Sequence, residues 1–175
     1  MRADIVLVPM TRERMHAYFR RFVADEDLFM DASQCRPCRY DAARVDAFFD
    51  KRAARRDAVW FAVLLGDAVI GDAGLKHIDA EKRECELSIH LVNDQYKNRG
   101  FGTAAERLLL EYAFEALRMR AVLADATLKN ARSQRVLEKL GFERVSRDET
   151  FVYYKLNADQ YRKRRRGADD AGTES

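Results

Sequence analysis

Gly100 and Gly102 stand in the stretch Lys97-Asn98-Arg99-Gly100-Phe101-Gly102, between an apolar strand and the strongest helical pattern in the chain. Glycine permits φ > 0 and lets an anion come close to the backbone. The first N–H groups of a helix have no partner within it and carry partial positive charge. Two glycines at such a junction, with Lys97 and Arg99 adding cationic reach, make a cradle for a pyrophosphate. A loop that needs its glycines only to turn is the alternative; the basic flanks and the strand-to-helix context favour the anion site.

Carboxylates flank this junction. Glu86 lies on the polar face of the strand that leads to the turn, and Asp125 lies in the strand before Asn130. Each is able to move a proton, and each is equally able to sit in an ion pair with a neighbouring cation. His90 is a possible relay or a structural strand histidine. Asn130 is placed to cap the helix 131–140, with Ser133 in its first turn. Tyr153 and Tyr154 fall in the final hairpin, where at least one is expected in the core.

The elements that must position these residues follow from periodicity. Ile5 to Val8 reads as a strand ended by Pro9. Thr11 caps a helix from about Arg12 to Val23, and a second helix runs from about Asp41 to Arg55. Val59 to Leu65 and Ala68 to about Ile78 form a hairpin around Gly66-Asp67. Cys85 to Val92 alternates, with Cys85, Leu87, Ile89 and Leu91 on one face and Glu86, Ser88 and His90 on the other. Ala105, Leu108, Leu109, Tyr112, Ala113 and Ala116 make one helical stripe. Ala121 to Ala126 is a strand, Ala131 to Leu140 a helix stopped by Gly141, and Phe142–Ser146 with Phe151–Leu156 a closing hairpin. The order β-α-α-β-β-β-α-β-α-β-β predicts an α/β fold with a single mixed, mostly antiparallel twisted sheet flanked by helices.

Bulk properties narrow the class. The chain has 175 residues, 47% apolar and 35% charged, with a net charge of +3. That suits one domain, here bounded as residues 1–160, with 161–175 a polar, disordered basic tail. Arg162-Lys163-Arg164-Arg165-Arg166 carries the excess charge, so the body is near neutral and no nucleic-acid partner is expected. No apolar run approaches the ~18 residues of a membrane span, and the N-terminus lacks a signal-peptide pattern, so a cytoplasmic location is expected and no membrane partner. Three cysteines, with Cys35 and Cys38 as a lone C-x-x-C, supply neither a disulfide framework nor a zinc site.

The Lys97–Gly102 stretch resembles the Arg/Gln-x-x-Gly-x-Gly/Ala signature of the GNAT superfamily of N-acetyltransferases. Asn130-Ala131-Arg132-Ser133 followed by Lys139-Leu140-Gly141-Phe142 resembles that family's second block, Asn-x-x-Ala/Ser with Lys-x-Gly-Phe, in family order. The element order fits from about Ile5 to Leu156. The Ser133 version is most similar to the ribosomal-protein N-terminal acetyltransferase-like branch. The resemblance implies transfer of an acetyl group from acetyl-CoA to a primary amine of a small molecule or protein N-terminus. It implies that backbone groups of His90, Leu91 and Val92 pair with the pantetheine arm. Backbone amides from Asn98 through Arg99, Gly100, Phe101 and Gly102 to Thr103 would hold the pyrophosphate, and the Asn130 side chain would contact the cofactor. In that reaction Glu86 and Asp125 become candidate bases, and Ser133 a candidate acid for the leaving thiolate.

Two positions depart from the pattern. Lys97 replaces Arg/Gln and loses the planar fork. Leu137 stands where the family often has a tyrosine assigned to protonate the thiolate, which leaves a catalytically weak acyl-CoA-binding regulatory module as the alternative reading. The acidic stretch Asp25, Glu26, Asp27 and Asp31 falls where the family shapes its acceptor site, and is open either to attracting a cationic acceptor or to serving as a solvated loop. The oligomeric state is not fixed by the sequence; a homodimer is one open assembly.

Overall fold

The computed structural model describes residues 5–171. Seven strands form one sheet: β1 (Ile5–Pro9), β2 (Val59–Leu65), β3 (Ala68–Asp79), β4 (Glu84–Leu91), β5 (Ala121–Thr127), β6 (Glu143–Arg147) and β7 (Phe151–Asn157). Their order is β1-β2-β3-β4-β5-β7-β6. Every neighbouring pair is antiparallel except β4 and β5. The expected mixed, mostly antiparallel sheet is therefore present, in the expected element order as far as β7.

Five helices flank it: α1 (Arg12–Phe19), α2 (Ala42–Ala53), α3 (Phe101–Glu111), α4 (Ala131–Leu140) and α5 (Ala158–Ala171). None of the described helices is long and apolar enough to cross a membrane. The middle of β3 is buried from Val69 to Leu75, because helices cover both faces of the sheet there. One core joins Val63, Ile70, Leu75 and Leu87 to Ala105, Leu109 and Leu110 of α3. A smaller one sets Tyr18 of α1 against Ala62, Val69 and Val92.

Three boundaries differ from the sequence reading. Helix α1 stops at Phe19 rather than Val23, since the chain turns there so that the Val23 N–H donates to the Val92 carbonyl, 2.7 Å away, at the end of β4. The stripe over α3 and the π-helical turn that continues it, Tyr112–Ala116, is rotated: Leu108 is 36% exposed, whereas Phe101, Leu110 and Phe114 are buried with Ala105, Leu109 and Ala113. Helix α3 packs on the sheet and on α4, so its apolar arc is wider than one stripe. The tail expected to be disordered from residue 161 is helical as far as Ala171, and its remainder lies outside the described residues. Tyr161 of α5 stacks on Phe114, with ring centroids 4.7 Å apart, which gives the start of this polar helix an apolar anchor.

Candidate active site

Strands β4 and β5 pair only from Glu84↔Ala121 to Glu86↔Leu123. Beyond that point β4 stays with β3 as far as Leu91, and β5 stays with β7 as far as Thr127. The two strands splay apart, and a cleft of about 390 Å³ opens between them, lined by both strands, the 97–103 turn and α4. That is within the size range of small-molecule sites.

At its end β4 passes into the turn. Asn98 (φ 57°) and Gly100 (φ 85°) are both left-handed, and Gly100 is the N-cap of α3. The first described helical bond here runs from the Ala104 N–H to the Gly100 carbonyl, 2.9 Å. The N–H groups of Phe101, Gly102 and Thr103 precede it and remain as anion donors. Gly102 is helical, and a Cβ built on it would meet only Leu91, at 4.0 Å. Packing within the protein thus does not require glycine at 102, and the missing Cβ leaves the approach to the helix end open. The turn fits a pyrophosphate. Phe101 points into the core and Tyr96 packs beside it, which holds the turn against the sheet.

Lys97 is not a free cation in this cradle. Its ammonium, on a side chain only 11% exposed, lies 2.6 Å from both Asp25 and Asp94. Asp25 also accepts from Arg132 of α4 at 3.0 Å. Burial pushes the Asp25 carboxyl up, but the hydrogen bond and charge of Lys97, the backbone of Asp27 and the charge of Arg132 outweigh it and hold it below the usual range. Asp27 reaches Arg132 at 3.5 Å, and its carbonyl accepts from the Thr127 hydroxyl at 2.5 Å. This part of the acidic stretch is a clasp between the chain after α1, the turn and α4. Arg99 lies 5.3 Å over the Phe101 ring, outside the cleft lining.

The backbone of β4 divides its donors between two sides. The Val92 N–H donates to the Ile70 carbonyl at 2.9 Å, and the Val92 carbonyl accepts from Val23. Val92 therefore has no free N–H for a pantetheine arm and its carbonyl already serves Val23, which runs against that expectation. By strand alternation His90 also directs its backbone to β3, while Arg83 turns its carbonyl to Arg120 at the start of β5. Leu87, Ile89 and Leu91 share the side of Arg83, so their N–H and C=O groups border the cleft. Of the three residues expected there, only Leu91 turns its backbone to this side, together with Ile89, which strand parity alone could have pointed out.

The two candidate bases separate. Glu86 does not line the cleft; it is held by Lys76 at 2.5 Å and His77 at 3.0 Å. Burial raises its carboxyl, yet these hydrogen bonds and charges together bring it below the ordinary value. Asp125 does line the cleft. Its side chain is exposed on the cleft; desolvation by the cleft wall and then the negative charge of Glu86 raise its carboxyl, against the attraction of Lys76, its own backbone N–H and His90. His90 also lines the cleft, with its Nδ1 3.7 Å from buried Asp72. Tyr153 donates to Asp148 at 2.6 Å, and Tyr154 is buried in the core.

Helix α4 forms the opposite wall. The Asn130 Oδ1 accepts from the Ser133 N–H at 2.9 Å, so the capping role holds and the amide nitrogen is left as its donor at the cleft. Ser133 is the only hydroxyl that α4 contributes to the lining. Leu137 lines the cleft while being 2% exposed and part of the core. Glu106 of α3, unremarked in the sequence because it interrupts an apolar face, is buried in the same cleft wall.

Residues 4–143 match the family model described as the acetyltransferase (GNAT) domain. Among curated proteins, the chain is 32% identical over 92 residues to the "Putative ribosomal N-acetyltransferase YdaF" of Bacillus subtilis (strain 168), covering 51% of this chain and 50% of that one. It is 31% identical over 78 residues to "Probable N-acetyltransferase YjcK" of the same organism, covering 45% and 43%. The chain thus spans half or less of the length of these curated relatives. Among solved structures, a "putative acetyltransferase" of T. thermophilus superposes with a TM-score of 0.74 at 25% identity, covering 91% of this chain and 88% of the other. The dodecameric spermidine N-acetyltransferase of Vibrio cholerae superposes with a TM-score of 0.71 at 16% identity, covering 91% and 97%, a likeness of fold.

Proposed function

Because the chain belongs to the GNAT acetyltransferase family, we propose that it transfers an acetyl group from acetyl-CoA to a primary amine of a small molecule or protein N-terminus, by direct attack in a ternary complex. The observation that carries this reading is the cleft between splayed strands, closed at one end by a helix N-terminus whose glycine has no packing reason to be one. Acetyl-CoA supplies a thioester, whose carbonyl carbon is open to attack by a neutral amine.

The chain's own residues divide the work. The N–H groups of Phe101, Gly102 and Thr103 bind the pyrophosphate, and the Asn130 amide adds a donor from α4. The cleft-facing backbone of Ile89 and Leu91 receives the pantetheine arm as an added strand and supplies an N–H for developing negative charge. Asp125 takes the proton from the amine, directly or through water. Glu86, bound to Lys76 and His77, keeps a negative charge near Asp125 and so favours its uptake of a proton. Ser133 offers its hydroxyl to the departing sulfur. No strong acid is needed there, because a thiol's pKa of about 8.5 makes its anion a tolerable leaving group. Leu137 is then a wall of the cleft rather than a lost catalyst.

The test is release of CoA thiol from acetyl-CoA with a panel of primary amines and peptide N-termini. Amine-dependent release is expected. Tight acetyl-CoA binding with no release for any amine would favour the regulatory module.

A further inference from the structure

Glu106 is a carboxyl that the protein's own interactions do not explain. It stands one turn beyond Gly102 on α3, is 4% exposed and lines the cleft. Its Oε2 is sealed away with no hydrogen-bond partner among the described residues, which leaves the other oxygen to meet the cleft. Its neighbours on α3, Ala105, Leu109 and Leu110, are core, and Val136 and Leu137 of α4 add apolar lining. The charged and titratable groups that share the lining are Asp25 and Lys97 from the loops, Lys76 from β3, His90 from β4, Asp125 from β5 and Arg132 from α4. None of the cations forms an ion pair with it: Lys97 and Arg132 are held by Asp25, and Lys76 by Glu86.

Burial alone pushes the Glu106 carboxyl up to about 8. Near neutral pH it is therefore a neutral acid, and a neutral acid has an O–H to donate. A sealed acceptor oxygen is far less costly on such an acid than on a carboxylate. The arm that threads this cleft carries amide carbonyls, which need donors once they leave water.

We propose that Glu106 is a further binding residue for the acyl donor, giving a hydrogen bond from its protonated carboxyl to a carbonyl oxygen of the pantetheine arm. This rests on the reading of the cleft as the acetyl-CoA site. Affinity is highest while Glu106 is protonated and declines as pH rises through its value near 8. Binding in turn strengthens its hold on the proton, so the complex takes up protons from solvent in that pH range.

The test is calorimetric titration of the full chain with acetyl-CoA, without amine, from about pH 6.5 to about pH 9.5 around that value. Wild type, Glu106→Gln and Glu106→Leu are compared. Gln keeps a donor and cannot ionise, so it is expected to bind within about twofold of wild type at the acid end and to lack wild type's additional decline above pH 8. Leu lacks the donor and is expected to bind roughly three- to tenfold more weakly at the acid end. It should fold, since it replaces an unpaired buried carboxyl with an apolar group. Equal affinity of Leu and wild type, or one pH profile shared by wild type and Gln, overturns the role of Glu106 while leaving the cleft assignment standing. Failure of wild type to bind acetyl-CoA overturns both.

Discussion

Glu86 and Asp125 sit on adjacent strands, and their surroundings push them in opposite directions. Lys76 and His77 outweigh burial at Glu86 and keep it ionised. Desolvation by the cleft wall, with the charge of Glu86 behind it, lifts Asp125, which alone of the two opens on the cleft and is exposed there. A base must be deprotonated to act, so the rate rises with pH through the raised Asp125 value and the acid limb of kcat/KM belongs to Asp125. Asp125→Asn is expected to remove that limb and lower kcat by roughly 10²- to 10⁴-fold. Glu86→Gln should leave kcat within about tenfold and move the limb to lower pH, because the charge that raises Asp125 is gone. A pH–rate profile of the three proteins checks both statements. The sequence brought out both carboxylates but not this split, since neither ion pairs nor cleft access can be read from strand position. Lys76 and His77 lie on the preceding strand and meet Glu86 only in the register in which β3 and β4 pair.

At the scale of the element, the end of α3 owes its form to two different glycines. Gly100 is required by its backbone, at φ 85°, and a Cβ there would find open space. Gly100→Ala therefore carries only the cost of a left-handed alanine, about 1–2 kcal/mol. A melting temperature roughly 2–8 °C lower is expected in a calorimetric scan. An unchanged value would show that the turn relaxes. Gly102 has no such requirement, which is why its identity points to a ligand. The glycines, the basic flanks and the Asn130 cap were legible because local sequence determines turns and helix starts. The clasp of Lys97, Asp25 and Arg132 was not, since its members come from three separated parts of the chain. For the same reason Lys97 reads in sequence as a phosphate ligand and in the structure as a strut.

At the scale of the molecule, strand order makes the site. Parallel insertion of β5 beside β4, with pairing that ends at Leu123, opens the sheet where α3 and α4 both begin. Periodicity gave the strands and helices and their order. It carries no information on where two distant strands stop pairing, so an edge of β4 left open to a cofactor arm entered only through the resemblance to the GNAT family. Helix α5 was hidden for a related reason: its polar composition reads as a tail, and the contact of Tyr161 with Phe114 is a matter of tertiary packing. The central claim is that this opening, floored by the 97–103 turn, holds acetyl-CoA. Equilibrium titration of wild type and Gly102→Glu with acetyl-CoA tests it most directly. Saturable 1:1 binding by wild type, lost in a Gly102→Glu protein that melts as wild type does, is the predicted result. Undiminished affinity in Gly102→Glu, or no binding by wild type, would contradict it.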